Sequence, residues 1–287
     1  MNYQLDRRSH AYRPDLADSR LRDRAVADRY TDGMPAEVIV PVADVRPRPD
    51  TACSIDTQAL FGEALTVFDI SGGWAWVQNL RDGYVGYCSE DKLAPVSGRL
   101  THRVIVPRTF VYPDAELRHP PVDCLPMGAK LCVVGQAETR GTTYHVLDNG
   151  EAVIARHLAP LDMVSGDYVA TARLLMHTPY QWGGSTPFGI DCSGLVQLSM
   201  MMCGDAVQRD TDMQAASIGT PVEPGADYGN LQRGDLVFWK GHVGIMYDAE
   251  TLLHASGHAM WVGLETLHDA VDRIAYLYGP PTICRRP

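Results

Sequence analysis

From residue 36 onward, apolar and polar positions alternate in short runs: Glu37-Val38-Ile39-Val40-Pro41-Val42, Glu63-Ala64-Leu65-Thr66-Val67-Phe68-Asp69, Trp74-Ala75-Trp76-Val77-Gln78 and Gly83-Tyr84-Val85-Gly86-Tyr87. A period of two puts successive side chains on opposite faces of a strand, and the turn residues Ser71-Gly72-Gly73 and Arg81-Asp82-Gly83 separate the runs. Residues 36–97 therefore predict one small all-β barrel. The texture returns over residues 98–161 in Arg103-Val104-Ile105-Val106, Lys130-Leu131-Cys132-Val133-Val134, Thr143-Tyr144-His145-Val146-Leu147 and Ala152-Val153-Ile154-Ala155, which predicts a degenerate second copy. Residues 1–35 form a charge-rich arm, in which Asp15 to Tyr30 predict an amphipathic helix carrying Leu16, Leu21, Val26 and Ala27 on its apolar stripe.

From residue 162 the period changes. Tyr168-Val169-Ala170-Thr171-Ala172-Arg173-Leu174-Leu175 is spaced as a helix that ends before Pro179, and a second helix opens at Cys192 and runs to Met202. Strands are predicted at Asp235–Trp239, His242–Tyr247, Leu252–Ala255 and Ile274–Tyr278. Helices first and strands after is an α+β order, so residues 162–287 form a domain of that class.

Apolar residues are 45% of the chain and charged residues 21%, the composition of a packed globular protein. The net charge of −10 disfavours a nucleic-acid partner, and no apolar run is long enough for membrane insertion. The first thirty residues hold no apolar core of a secretory signal, so a cytoplasmic protein is expected. Seven scattered cysteines without a Cys-x-x-Cys pair are then expected as reduced thiols.

Among them Cys192 has a special position. It follows Gly189-Ile190-Asp191 and opens an apolar helix, where free N–H groups and the helix dipole are expected to lower a thiol pKa. Amide cleavage by a thiolate also needs an imidazole to protonate the leaving amine. His242 and His254 stand twelve residues apart in two apolar runs, an even separation that a hairpin turning at Tyr247-Asp248-Ala249-Glu250 would bring side by side on one face. A rival use of Cys192, His242 and His254 is metal ligation, but no His-x-x-x-His spacing or similar ligand pattern accompanies them, so no metal and no other cofactor is expected. Met200-Met201-Met202 reads as helix packing.

Tyr180-Gln181-Trp182-Gly183-Gly184, Asp191-Cys192-Ser193-Gly194-Leu195-Val196, Arg233-Gly234-Asp235-Leu236-Val237-Phe238, Gly241-His242-Val243-Gly244-Ile245 and His254-Ala255-Ser256 resemble, in order and spacing, the NlpC/p-sixty family of papain-like cysteine peptidases. The resemblance implies Cys192 as nucleophile, His242 as general base and acid, His254 as the group that holds the imidazole, and Tyr180 as an oxyanion ligand. The two barrels resemble bacterial SH3-like domains. The implied fold is α+β multidomain: two small SH3-like barrels followed by a papain-like catalytic domain.

That combination resembles the YkfC-like γ-D-glutamyl-L-diamino-acid endopeptidases. This implies hydrolysis of the γ-D-glutamyl to L-diamino-acid bond in murein stem peptides, L-Ala-γ-D-Glu-diamino acid, whose N-terminal L-Ala is free, as a step of cell-wall peptide recycling. In that subgroup the first barrel lends an acidic residue and a tyrosine to hold the L-Ala ammonium; the matching positions are Glu63 and Tyr84, with Tyr87 as the alternative to Tyr84. An ammonium in a partly closed cleft needs polar partners, and Asp191, Ser193, Asp210 and Thr211 supply further candidates, although Asp191 also reads as the N-cap of the Cys192 helix. A secreted or phage-type wall endolysin, a non-catalytic peptide-binding module and an acyltransferase remain open alternatives. The oligomeric state is not legible.

Overall fold

A computed structural model describes residues 5–287, and the chain divides into two compact units, Met1–Met163 and Val164–Pro287. The alternating runs of the first unit are strands. Val85–Ser89, Trp74–Asn79, Ala64–Ser71, Met34–Val38 and Leu93–Pro95 lie in that order in one antiparallel sheet, and Val42–Val45 pairs with Thr57–Leu60 in a second. These are separate sheets and not one closed ring of strands. Inward positions Val38, Val45, Leu65, Val67, Val77 and Cys88 make a shared core.

Residues 102–160 assort in the same manner, into a five-stranded and a three-stranded sheet around Val104, Leu125, Leu131, Val153 and Leu158. The two halves share local hydrogen bonding. Gly62 N–H donates to the Val38 carbonyl (2.9 Å) and Val38 N–H to that of Glu63 (3.0 Å); Gly128 N–H donates to Val104 (2.9 Å) and Val104 N–H to Ala129 (2.9 Å). Each half ends in a 3-10 turn, Glu90–Lys92 or Ala155–His157, followed by a Leu-Ala-Pro strand that pairs with the first strand of its half.

Two expected elements differ. Asp15 to Tyr30 is not a helix: Leu16–Asp18 is a strand, Ser19–Leu21 a 3-10 turn and Arg29–Thr31 a strand pairing in parallel with the first. Ala11 and Leu16 pack on Phe68, Trp76 and Val85, a flat surface that an extended segment covers, while Val26, counted on the helical stripe, is 94% exposed. Ile274–Tyr278 is not a strand but the end of helix α4, Leu267–Tyr278. Thr266 caps it, its Oγ accepting from Asp269 N–H (3.1 Å), and Leu267, Ala270 and Ile274 fall on the buried side at helical spacing. A five-residue window was too short to separate the two periods.

The second unit contains α1, Tyr168–Arg173, α2, Cys192–Met201, and α3, Thr211–Ser217, before α4. Its antiparallel sheet runs Thr220–Val222, Ile283–Arg286, Leu236–Trp239, His242–Met246, Thr251–Ser256, Trp261–Thr266. Helix α2 is buried along nearly its whole length and packs on the central strand His242–Met246. Among the described residues no helix is long and apolar enough to cross a membrane.

Gly62 has φ +74°, and a Cβ there would stand 2.4 Å from the Lys130 carbonyl oxygen. Gly62→Ala is therefore expected to destabilise the first unit by about 1–3 kcal/mol, read by urea denaturation; a change below about 0.5 kcal/mol would show that the turn relaxes freely.

Candidate active site

The start of α2 is built around one carboxylate. Asp191 caps the helix, its Oδ1 accepting from Gly194 N–H (2.7 Å) and the Ser193 hydroxyl (3.1 Å), while Oδ2 accepts from Gly183 N–H (3.0 Å). Arg209, 1% exposed, donates from Nη1 to Oδ1 (3.0 Å) and from Nη2 to Oδ2 (2.6 Å), and its Nη1 also reaches the Ser193 hydroxyl (2.8 Å). Gly194 has to be glycine, since a Cβ would sit 2.3 Å from the Gly184 carbonyl oxygen. The Gly183-Gly184 loop, α2 and the segment before α3 are thus held by one ion pair. Asp191 and Ser193, considered above as substrate ligands, are buried and engaged in this network; Asp191 is the cap.

Cys192, the first residue of α2, is buried, and the Val243 backbone and the Thr211 side chain lie near enough to its sulfur to favour the thiolate. Val243 is the residue after His242. The expected low thiol pKa is not what this position produces: burial pushes the thiol up, to about 11, and the Asp191 charge adds to the rise, against the smaller pull of Val243, Arg209 and Thr211. Desolvation outweighs the helix dipole. Tyr180 lines the same place, and burial together with the Cys192 and Asp191 charges raises its phenol, keeping it a hydrogen-bond donor. Thr211 opens α3 and Asp210 is its N-cap residue, half-buried.

His242 and His254 do come together. The hairpin pairs Ile245 with Leu253 and turns at Tyr247, whose N–H donates to Thr251 (2.8 Å). This puts both rings on one face, with His242 Nε2 and His254 Nδ1 2.8 Å apart. Burial, then the His254 and Arg273 charges, push His242 down to about 3, with Glu265 opposing. The resting thiol and imidazole are therefore both neutral.

Sequence reasoning missed Glu265. His254 Nε2 lies 2.8 Å from Glu265 Oε1, and Arg273 of α4 binds the same carboxylate. Glu265 stands two residues beyond Gly263, the cross-strand partner of His254, so it shares His254's face with no side chain between them. The even spacing in Gly263-Leu264-Glu265 was the available signal, but Trp261–Thr266 did not read as a strand. Arg209 was missed as the Asp191 counter-ion. With both ring nitrogens of His254 engaged, the histidine pair is poorly suited to a metal, and the described residues contain no group of three or more His, Cys, Asp or Glu placed to hold one. A cleft of about 390 Å³ opens beside His242, lined by Tyr180, Trp182, His258, Arg273 and Tyr278.

In the first unit Glu63 is 1% exposed, and its carboxylate accepts from Arg81 Nη1 (3.0 Å) and Leu60 N–H (3.0 Å). Asp82 accepts from Tyr84 N–H (3.0 Å) and pairs with Arg81, which gathers Glu63, Arg81, Asp82 and Tyr84 into one buried cluster. Glu63 is the counter-ion of Arg81 here, and not an open anion.

Residues 177–272 match the NlpC/P60 family, and residues 45–93 match a bacterial dipeptidyl-peptidase Sh3 domain. The chain carries an SH3-like domain followed by an NlpC/P60 domain. Dipeptidyl-peptidase 6 of Lysinibacillus sphaericus is 27% identical over 243 residues, 78% of this chain and 88% of the relative. The γ-D-glutamyl-L-lysine dipeptidyl-peptidase of Bacillus subtilis is 26% identical over 239 residues, 76% of this chain and 77% of the relative. A probable endopeptidase of Corynebacterium glutamicum is 38% identical over 104 residues, 35% of this chain and 47% of the relative. The crystal structure of an NlpC/P60 family protein from Bacillus cereus shares the fold, with a TM-score of 0.71 at 20% identity over 88% of this chain and 99% of that one.

A neutral resting thiol predicts slow iodoacetamide labelling of Cys192 near pH 7 that accelerates towards pH 10, because the thiolate fraction rises about tenfold per pH unit below a pKa near 11. Peptide mass mapping against pH checks it. Fast labelling already level below pH 7 would contradict a neutral pair.

Proposed function

We propose that the protein is a cysteine peptidase that hydrolyses the γ-D-glutamyl to L-diamino-acid bond of murein stem peptides with a free N-terminal L-Ala, and that it serves the recycling of wall peptides. The observation that carries this reading is the His242–His254 contact of 2.8 Å on a strand whose next residue, Val243, acts on the buried Cys192 thiol. The names of the dipeptidyl-peptidase relatives support the substrate, since release of a dipeptide requires a free amine two residues before the scissile bond.

The Cys192 thiol gives its proton to His242 as the sulfur attacks the γ-carbonyl carbon of D-Glu. Neither charge is tolerated alone in this dry site, but thiolate and imidazolium formed together stabilise one another. Cys192 N–H and the Tyr180 hydroxyl hold the oxyanion. On collapse the C–N bond breaks, His242 returns the proton to the leaving amine, and a thioester remains. Water, deprotonated by His242, then releases L-Ala-D-Glu and restores the thiol. Thr211 orients the sulfur. Residues 98–161 are a degenerate repeat of the SH3-like module and serve as scaffold.

L-Ala-γ-D-Glu-meso-diaminopimelate and its N-acetylated copy, followed by product masses, test the reading. The free peptide is expected to yield L-Ala-D-Glu, at least a hundredfold faster in kcat/KM than the acetylated one. Folded Cys192→Ala and His242→Ala proteins are expected to be inactive and His254→Ala to retain part of the rate. Full turnover by Cys192→Ala would overturn the reading.

A further inference from the structure

Glu265 and Arg273 have no part in the steps above, yet the hydrogen bonds run from the histidine pair directly to them. We propose that Glu265, held by Arg273, is a positioning residue that sets the tautomers of both histidines and thereby makes Nδ1 the basic nitrogen of His242. This inference rests on the cysteine-peptidase reading for its consequence in catalysis, though not for the geometry itself.

For a pair of neutral rings the proton inventory leaves one solution. An ionised carboxylate only accepts, and Glu265 is held ionised by His254 and Arg273, its pKa falling to about 2 despite burial. His254 Nε2, 2.8 Å from Glu265 Oε1, must therefore carry a hydrogen. In neutral His254 the other nitrogen, Nδ1, is then a bare acceptor. The 2.8 Å contact between His254 Nδ1 and His242 Nε2 needs one hydrogen, and only His242 can supply it. With Nε2 protonated, neutral His242 keeps its lone pair on Nδ1. In a neutral pair the opposite arrangement would set two ring hydrogens or two lone pairs against each other, whereas a doubly protonated His254 would donate from Nδ1 to His242 Nε2 and put the His242 hydrogen on Nδ1, the outcome the test below has to exclude.

Arg273 has a separate task. Its guanidinium binds Glu265, with Nε donating to Oε2 (3.4 Å), and its position on α4 ties the carboxylate to the helix that packs on the sheet. The groups whose charges act on His242 are thus His254 from the neighbouring strand, Glu265 from the strand beyond, and Arg273 from α4. When His242 takes a proton during the reaction, the Glu265 charge lies two hydrogen bonds away and offsets the imidazolium without receiving the proton itself.

The test uses the full-length protein labelled with nitrogen-15 at histidine, in a Cys192→Ala background without substrate, so that ring tautomers are read independently of any activity. Proton–nitrogen correlation spectra are expected to show both His242 and His254 as the Nε2–H form. In Glu265→Ala, His254 is expected to lose that single form. In otherwise wild-type protein, Glu265→Ala should lower kcat ten- to a hundredfold with KM changed less than twofold, and Glu265→Gln, which retains an accepting oxygen and the shape, should recover part of the loss. Circular dichroism and thermal melting confirm that each variant is folded. An Nδ1–H form of His254 in the parent protein, or unaltered tautomers and kcat in folded Glu265→Ala, would overturn the proposal. Inactivity of the parent on every stem peptide would instead count against the peptidase reading and leave the tautomer result standing.

Discussion

The Asp191 carboxylate is the constraint on which the catalytic unit depends. A buried anion is tolerated only when its oxygens are saturated, and here the saturating donors come from three separate stretches: the Gly183 loop, the first turn of α2, and Arg209 ahead of α3. Each must be in place for the charge to be stable. The same requirement places Cys192, at the start of α2, on the helix that packs against the central strand. The cysteine is positioned by the electrostatics of its neighbour and not by its own contacts alone.

That neighbour also affects reactivity. Placing a thiol beside a buried carboxylate raises the cost of a thiolate, and the Arg209 guanidinium only partly offsets it. On the proposed reading a nucleophile kept neutral at rest is activated by proton transfer within the site, which shifts the burden to His242 and to whatever fixes its basic nitrogen. The histidine chain ends on one fixed carboxylate, Glu265, held by Arg273, and the His242 edge remains open to a cleft.

Much of this was legible in the amino-acid order. Period-two runs marked the strands of the first unit, the switch to helical spacing at Tyr168 marked the second, and the twelve-residue interval between His242 and His254 fitted a hairpin face. Three things were not legible, for physical reasons. The Leu16 segment is extended because Phe68 and Trp76 offer it a flat apolar surface, a tertiary fact that local periodicity does not contain. The thiol pKa depends on how completely Cys192 is buried, which helix-start chemistry alone does not report. Glu63, Arg81, Asp191 and Arg209 form buried ion pairs across eighteen residues in each case, and charged residues in a sequence carry no mark of their burial.

The central claim is that one buried cysteine at a carboxylate-capped helix start forms a covalent acyl intermediate with the stem peptide. Acid quenching of the protein within milliseconds of mixing with L-Ala-γ-D-Glu-meso-diaminopimelate, followed by peptide mass mapping, tests it directly. The account predicts the L-Ala-D-Glu acyl mass, as a thioester cleaved by hydroxylamine, on the peptide that contains Cys192 and on none containing another cysteine. Product formation with the adduct on a different cysteine, or a Cys192→Ala protein that still accumulates the adduct, would contradict it.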